Sequence, residues 1–240
     1  LRALISGGAA LNPEIGSFFM ALGVKLLQGY GQTEASPVIS ANRPNKIKIG
    51  TVGPPVAGVE VRFADDGEIL VRGDLLMKGY WRDDHSTAAA IQNGWLHTGD
   101  IGSSDDDGYI TITGRKKEII VNSGGENIVP SRVEALLTIE PEIEQAMVDG
   151  DQRPWLAAVI VPSVEARENA ESKQALRLLI ADTIERANGR LSQIERVRRF
   201  VVADEKFSTE NSQLTPTLKV RRHVVRAAYA DRLDALYKRR

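Results

Sequence analysis

The chain has 240 residues, 42% of them hydrophobic, with no cysteine and a formal net charge of −1. That composition suits a folded core and excludes disulfides and thiolate metal sites, and no apolar run approaches the about 18 residues of a membrane-spanning helix. The charge is uneven: residues 196–240 hold 12 Lys+Arg against 5 Asp+Glu, leaving −8 for the rest. A basic tail suits phosphates, nucleic acid or an anionic membrane surface, and equally a solvated helix face.

Residues 1–45 read as α/β. A buried strand is expected over residues 3–6, a helix from Pro13 through Leu22, and a second strand over 24–27, with glycine turns after both strands. In such layers ligand loops lie at strand carboxyl ends. Leu1 enters the first apolar run without a lead-in, so a chain that begins mid-fold is expected. From residue 50 to 114 short β segments are split by glycine and proline. Strands are expected over 59–63, 68–71 and 109–113, with hairpin turns at 65–67 and 105–108. The aspartate run 105–107 reads as a turn, with a cation site as the competing reading.

After Gly114 a separate α+β unit is expected. Segments 118–121 and 126–129 flank a Gly124-Gly125 turn. Ser131 with Glu134 reads as a capping box opening a helix that buries Val133, Leu136 and Leu137 and stops at Pro141. Strands follow at 145–148, 156–161 and 200–203. Leu176, Leu179, Ile180, Ile184, Ala187 and Leu191 recur at helical spacing, and Val225, Tyr229, Leu233 and Leu236 mark one final amphipathic helix.

Five stretches could carry chemistry. In residues 28–36, QGYGQTEAS, the glycines Gly29 and Gly31 around Tyr30 permit close backbone approach to a ligand. Tyr30 offers a flat face for a planar base, Thr33 a hydroxyl for phosphate, and Glu34 a hard oxygen for Mg²⁺. An ordinary glycine turn is the competing reading. Residues 6–10, SGGAA, sit at a strand end but lack the spacing of a phosphate-cradling P-loop. In WLHTGD, residues 95–100, Asp100 at a tight turn suits a ribose diol; His97 has no second histidine at ligand spacing. In residues 114–130, GRKKEIIVNSGGENIVP, Arg115 presents a fork for phosphate or ribose oxygens, and Lys116, Lys117 and Glu118 mark the junction of two textures, as a hinge does. Lys219, within TPTLKVRR, could stabilise charge on a transferring phosphoryl group, or be surface decoration.

Together and in this order, GGAAL, GYGQTEAS, WLHTGD, GRKKEIIVNSGGENIVPSRVE and LTPTLKVRR resemble the AMP-forming adenylating enzymes, and TPTLK resembles their long-chain fatty acyl-CoA synthetase branch. The resemblance implies α/β plus α+β architecture. Residues 1–115 would be the end of a large AMP-binding domain, with 1–45 an α/β segment and 46–115 a β-rich, barrel-like subdomain. Residues 116–240 would be a small α+β lid. It also implies ATP, a fatty acid and coenzyme A as substrates with Mg²⁺ as cofactor: the acid is adenylated, then transferred to the thiol.

By resemblance, Tyr30 stacks on adenine within the Tyr30-Gly31 loop, Thr33 contacts phosphate and Glu34 holds Mg²⁺. Asp100 binds ribose with Arg115 as its partner, Lys117 is the hinge and Lys219 the adenylation lysine. Gly124, Gly125 and Glu126 approach the pantetheine tunnel, and Gly7, Gly8 and Ala9 edge the adenine and acyl pockets. The family's Ser/Thr/Gly-rich phosphate loop has no counterpart in residues 1–28. The expectation is therefore the C-terminal portion of a longer synthetase, inactive alone. A carrier-protein acceptor and a non-catalytic nucleotide-binding module are the alternatives. No nucleic-acid partner is expected, since the basic tail lacks interleaved aromatics. A cytoplasmic setting, with peripheral membrane contact, completes the reading.

Overall fold

A computed structural model describes residues 2–8 and 11–238, and the chain divides after Lys117 into two units, Leu1–Lys117 and Glu118–Arg240. In the first unit β1 (Leu4–Ser6) leads to α1 (Pro13–Ala21). Asn12 caps α1 by accepting from the Glu14 amide, and Pro13 presets the first turn. The second strand, β2, is Leu26–Tyr30, later in the chain than the 24–27 expected. It pairs parallel with β1 and antiparallel with β3 (Ser40–Ala41). This short sheet brings Tyr30 to a strand end facing the core.

The β-rich region is one five-stranded antiparallel sheet. β4 (Glu60–Phe63) and β5 (Glu68–Arg72) form the hairpin expected at residues 65–67. Next come α2 (Asp84–Ala90), capped by Asp83, then β6 (Ile91–Gln92), β7 (Trp95–Ser104) and β8 (Ile110–Arg115). β5 runs along one edge of β7. β6 takes the first half of the other edge and β8 the second half, so the sheet stays open rather than closing into a barrel. Sequence reading missed β6, β7 and α2. The signal for the β6–β7 hairpin was present: Asn93 and Gly94 both have positive φ, as a tight two-residue turn requires.

The aspartate run at 105–107 does form the β7–β8 turn: Asp105 Oδ1 accepts from the Asp107 and Tyr109 amides. Its carboxylates are met by lysines, Lys48 Nζ lying 2.6 Å from Asp105 and 2.5 Å from Asp107, with Lys46 Nζ 2.9 Å from Asp107. Cations therefore come from the protein itself at this turn.

The second unit opens with the hairpin of β9 (Ile120–Val121) and β10 (Asn127–Ile128), followed by α3 (Pro130–Leu137). The capping box expected of Ser131 and Glu134 does not form. Val129 occupies the cap position without a side-chain bond, Pro130 begins the helix, and Glu134 turns inward to accept from the Val148 amide and pair with Arg222. A half-buried arginine from far along the chain takes the carboxylate in place of a local cap.

β11 (Ile143–Asp149), β12 (Leu156–Pro162) and β13 (Val197–Val202) make a mixed sheet with β12 at its centre, buried along its whole length. Alternation sorts its side chains. Ala146, Val148, Ala158 and Ile160 pack with α3 and with α5 (Lys173–Asn188), which follows the short α4 (Val164–Glu168). Met147, Ala157, Val159 and Val161 pack on the opposite face with Phe207, α6 (Arg222–Ala228) and α7 (Ala230–Tyr237). The single final helix expected is thus two, broken at Tyr229, whose ring is buried while its hydroxyl accepts from the Asp204 amide. Among the described residues no helix is long and apolar enough to cross a membrane.

Candidate functional site

The polar centre of the first unit is Asp100. β7 carries it inward because its register against β5 slips around Gly99: Leu70 pairs with His97 but Glu68 with Ile101. Gly99 takes φ +71°, a conformation that suits glycine, and its amide donates to Glu68 Oε1 at 2.9 Å. Asp100 is 5% exposed. Its Oδ2 accepts from the Tyr30 hydroxyl at 2.7 Å and its Oδ1 from Arg115 Nε at 3.0 Å. Three strands, β2, β7 and β8, therefore converge on one carboxylate.

Burial, with the neighbouring Asp100 carboxylate, pushes the Tyr30 hydroxyl far above its ordinary pKa. It stays a neutral donor at any physiological pH. Tyr30 was read only as a flat face; its hydroxyl bond to Asp100, spanning 70 positions of sequence, had no local signal.

Gly31 follows Tyr30, and a Cβ there would lie 1.7 Å from the Pro37 carbonyl oxygen. Only glycine lets the chain fold back this closely. Thr33–Ala35 then forms a single 3-10 turn. Thr33 is exposed and Glu34 half-buried. Glu34 Oε1 accepts from the Tyr80 hydroxyl at 2.9 Å, and its backbone carbonyl accepts from the Met77 amide. Tyr80 is a further site neighbour that the sequence did not signal.

A support lies behind Asp100. Glu68, on β5, is buried and accepts from Lys116 Nζ at 3.0 Å as well as from Gly99, with His97 Nδ1 at 3.2 Å. Burial raises its carboxyl, but these three partners outweigh it and hold the pKa below the ordinary glutamate value. Glu68 thereby fixes the Gly99 bulge that aims Asp100. Gly7 and Gly8 follow β1; Gly8 has φ +83° with open space around it, and Gly7 lies near the Gly29 carbonyl. Ala9 lies outside the described residues.

In the second unit the remaining predicted residues occupy two loops. At the β9–β10 turn, Asn122 Oδ1 accepts from the Gly124 and Glu126 amides, and Asn122 Nδ2 donates to Glu126 Oε2 at 2.9 Å. Gly125 takes φ +81°, and a Cβ there would meet nothing within 4 Å. Lys219 is exposed on a loop closed by the Leu214–Val220 bridge. Thr215 ties this loop twice: its amide donates to the Lys219 carbonyl, and its hydroxyl accepts from the Lys219 amide at 3.0 Å. Lys117, the last residue of the first unit, is exposed in the 3-10 turn Lys116–Glu118.

For magnesium, Glu34 carries a hard carboxylate oxygen next in the chain to the Thr33 hydroxyl. Among the described residues no group of three or more His, Cys, Asp or Glu side chains could enclose a metal. A single carboxylate next to a hydroxyl is the donor set of an ion that keeps several waters and completes its coordination with bound phosphates.

Comparison with known proteins gives a family to this arrangement. The AMP-binding enzyme family matches residues 1–81, and the AMP-binding enzyme C-terminal domain matches residues 117–240, more than half of the chain. The long-chain-fatty-acid–CoA ligase FadD15 of Mycobacterium bovis is 41% identical over 98% of this chain and 42% of its own length. The chloroplastic long-chain-fatty-acid–[acyl-carrier-protein] ligase AEE15 of Arabidopsis thaliana is 34% identical over 98% of this chain and 36% of its own. The A domain of carboxylic acid reductase from Segniliparus rugosus, solved with AMP and a co-purified carboxylic acid, gives a TM-score of 0.85 at 29% identity, covering 98% of this chain and 39% of that one. The chain spans less than half the length of each of these proteins. With the two matches in order along the sequence, the chain belongs to the AMP-binding enzyme family.

Proposed function

We propose that this chain supplies the ribose-binding clasp and the lysine-bearing lid of an ATP-dependent, AMP-forming long-chain fatty acid–CoA ligase. The proposed boundary, residues 1–115 for the large domain and 116–240 for the lid, falls two residues before the division between the two structural units. In the first step a fatty acid carboxylate oxygen attacks the α-phosphorus of ATP, and pyrophosphate leaves with the electrons of the broken P–O bond. In the second the sulfur of coenzyme A attacks the acyl carbon, the acyl–phosphate C–O bond breaks, AMP leaves and the thiol proton is released. The carboxylate is already a nucleophile, so the protein's part is alignment and charge neutralisation.

One observation carries the reading: Asp100, at the bulge within β7, is held from two sides, by Tyr30 and Arg115. A carboxylate accepts about four hydrogen bonds. Two positions are used internally, which leaves capacity for the two hydroxyls of a ribose. The Tyr30 ring would take adenine beside it, with Gly7, Gly8, Ala9 and Gly31 as backbone edges. Thr33 would contact phosphate, and Glu34 would hold Mg²⁺, which neutralises phosphate charge when bound. Lys117 is assigned the hinge, Gly124, Gly125 and Glu126 the approach to the pantetheine arm, and Lys219 the stabilisation of charge on the α-phosphate.

In the gene product carrying this sequence, Asp100→Ala should weaken AMP binding by calorimetry about 10- to 100-fold, the loss of one or two hydrogen bonds to a charged group. Unchanged affinity in a folded variant would overturn the ribose assignment. The similarity to an acyl-carrier-protein ligase keeps a carrier-protein thiol as the alternative acceptor. Mass spectrometry of the acyl product with each acceptor offered separates the two.

A further inference from the structure

Three consecutive residues at the division between the units are held very differently. Lys116 is anchored within the first unit, its Nζ 2.5 Å from Asp66 and 3.0 Å from Glu68. Lys117 is exposed and makes no ion pair among the described residues. Glu118, the first residue of the second unit, is anchored within that unit by Arg222 Nε at 3.4 Å.

Arg222 is the first residue of α6 and stands three positions after Lys219. Its guanidinium also donates to the Val148 carbonyl at the end of β11, at 3.3 Å, and pairs with Glu134 of α3. Glu134 in turn accepts from the Val148 amide at 2.7 Å, and Arg226, one turn on, reaches Asp149 at 3.0 Å. Burial works against the charge on Arg222, but Glu134 and Glu118 outweigh it and hold its pKa above the ordinary value. Arg222 is half-buried, and a planar fork with this many fixed partners has one orientation. Arg221 closes the base of the loop, its amide donating to the Gln213 carbonyl. The base of the lysine loop is thus fastened to the residue immediately past Lys117.

We propose that Arg222 is a positioning residue: it locks the Lys219 loop in register with Glu118, so that the loop and the entry of the second unit move as one body about Lys117. The inference rests on the adenylation role proposed for Lys219. Every rotation of the backbone at Lys117 would then be transmitted to the lysine through Glu118 and Arg222, without slack in the loop.

The test compares two half-reactions in the gene product carrying this sequence: ATP–pyrophosphate exchange, and transfer from a synthetic acyl-adenylate to coenzyme A. Arg222→Lys keeps the charge but cannot reach three partners. It should lower exchange about 10- to 100-fold, the cost of misplacing a catalytic group by about an ångström, and leave transfer within about threefold. Glu118→Ala removes one half-exposed contact and keeps the Glu134 pair. It should fold as the parent does and lower exchange about three- to fivefold. Equal loss in both half-reactions, or loss in neither, overturns the positioning role. If Arg222→Lys fails to fold by circular dichroism, Glu118→Ala decides alone. Lys219→Ala in parallel distinguishes the two levels: exchange untouched by that change removes the role of Lys219, and this inference with it.

Discussion

Asp100 and Lys219 are held in opposite ways. Asp100 is buried, gripped on both carboxylate oxygens by residues of two other strands, and aimed by a bulge that a second buried carboxylate fixes. Lys219 is exposed, with its backbone fastened and its ammonium extended into solvent. The first arrangement suits a group that must present fixed acceptors to a ligand throughout a reaction. The second suits a point charge that has to arrive and leave, because an ammonium on a flexible stem needs only a fixed base. Preorganisation in the first unit resides in side chains, and in the second it resides in the loop.

The largest effect should come from removing the exposed charge. Lys219→Ala should lower ATP–pyrophosphate exchange about 10²- to 10³-fold, as expected for a donor aimed at developing charge. Transfer from a preformed adenylate should stay nearly unchanged, and so should thermal stability, since the side chain buries nothing. An equal fall in both half-reactions would erase the contrast, because it would make Lys219 a general structural element.

Glycines give a second measure of the same contrast. At Gly31 a Cβ would sit 1.7 Å from the Pro37 carbonyl oxygen, and backbone cannot give way cheaply. Gly31→Ala should destabilise the protein by about 3 kcal/mol or more. At Gly125 the space is open and only φ +81° is at issue, so Gly125→Ala should cost about 1 kcal/mol. Urea denaturation of both variants measures the difference. Similar losses would mean that the Tyr30 loop is no more constrained than the β9–β10 turn.

What the sequence revealed follows the reach of its rules. The β4–β5 and β7–β8 turns, α1 and the stripe on α5 depend on residues a few positions apart, and they were legible. Asp100 was legible as a candidate because short polar motifs mark turns, yet the turn proved to be a bulge within a ten-residue strand. Its grip on Tyr30 and the role of Glu68 join positions 70 and 31 residues apart, which no local pattern encodes. Glu134 shows the converse error. Spacing from Ser131 was right for a cap, but the Glu134 carboxylate instead meets the half-buried Arg222, 88 positions later, and the Val148 amide. The break at Tyr229 escaped notice because the apolar spacing runs through it, while the backbone there leaves the helix.

Glu68 provides the smallest and most specific test of the preorganised side. Its carboxyl titrates below the ordinary 4.5, held down by Lys116, His97 and the Gly99 amide against the opposing effect of burial. The unfolded chain therefore binds a proton at a higher pH than the folded one does. The stabilisation is complete above about pH 4.5 and is lost as the pH falls through the depressed folded value. Glu68→Gln keeps the shape but removes the charge that binds Lys116. It should lower unfolding free energy by about 1–2 kcal/mol at neutral pH, and the difference from the parent should shrink as the pH is lowered. AMP affinity should fall with it, since the Gly99 bulge that aims Asp100 loses its fixed acceptor. A stability difference that persists undiminished in acid would place the loss in packing rather than in the carboxylate. An AMP affinity that does not change would mean that the bulge is held by the strand pairing of β7 alone.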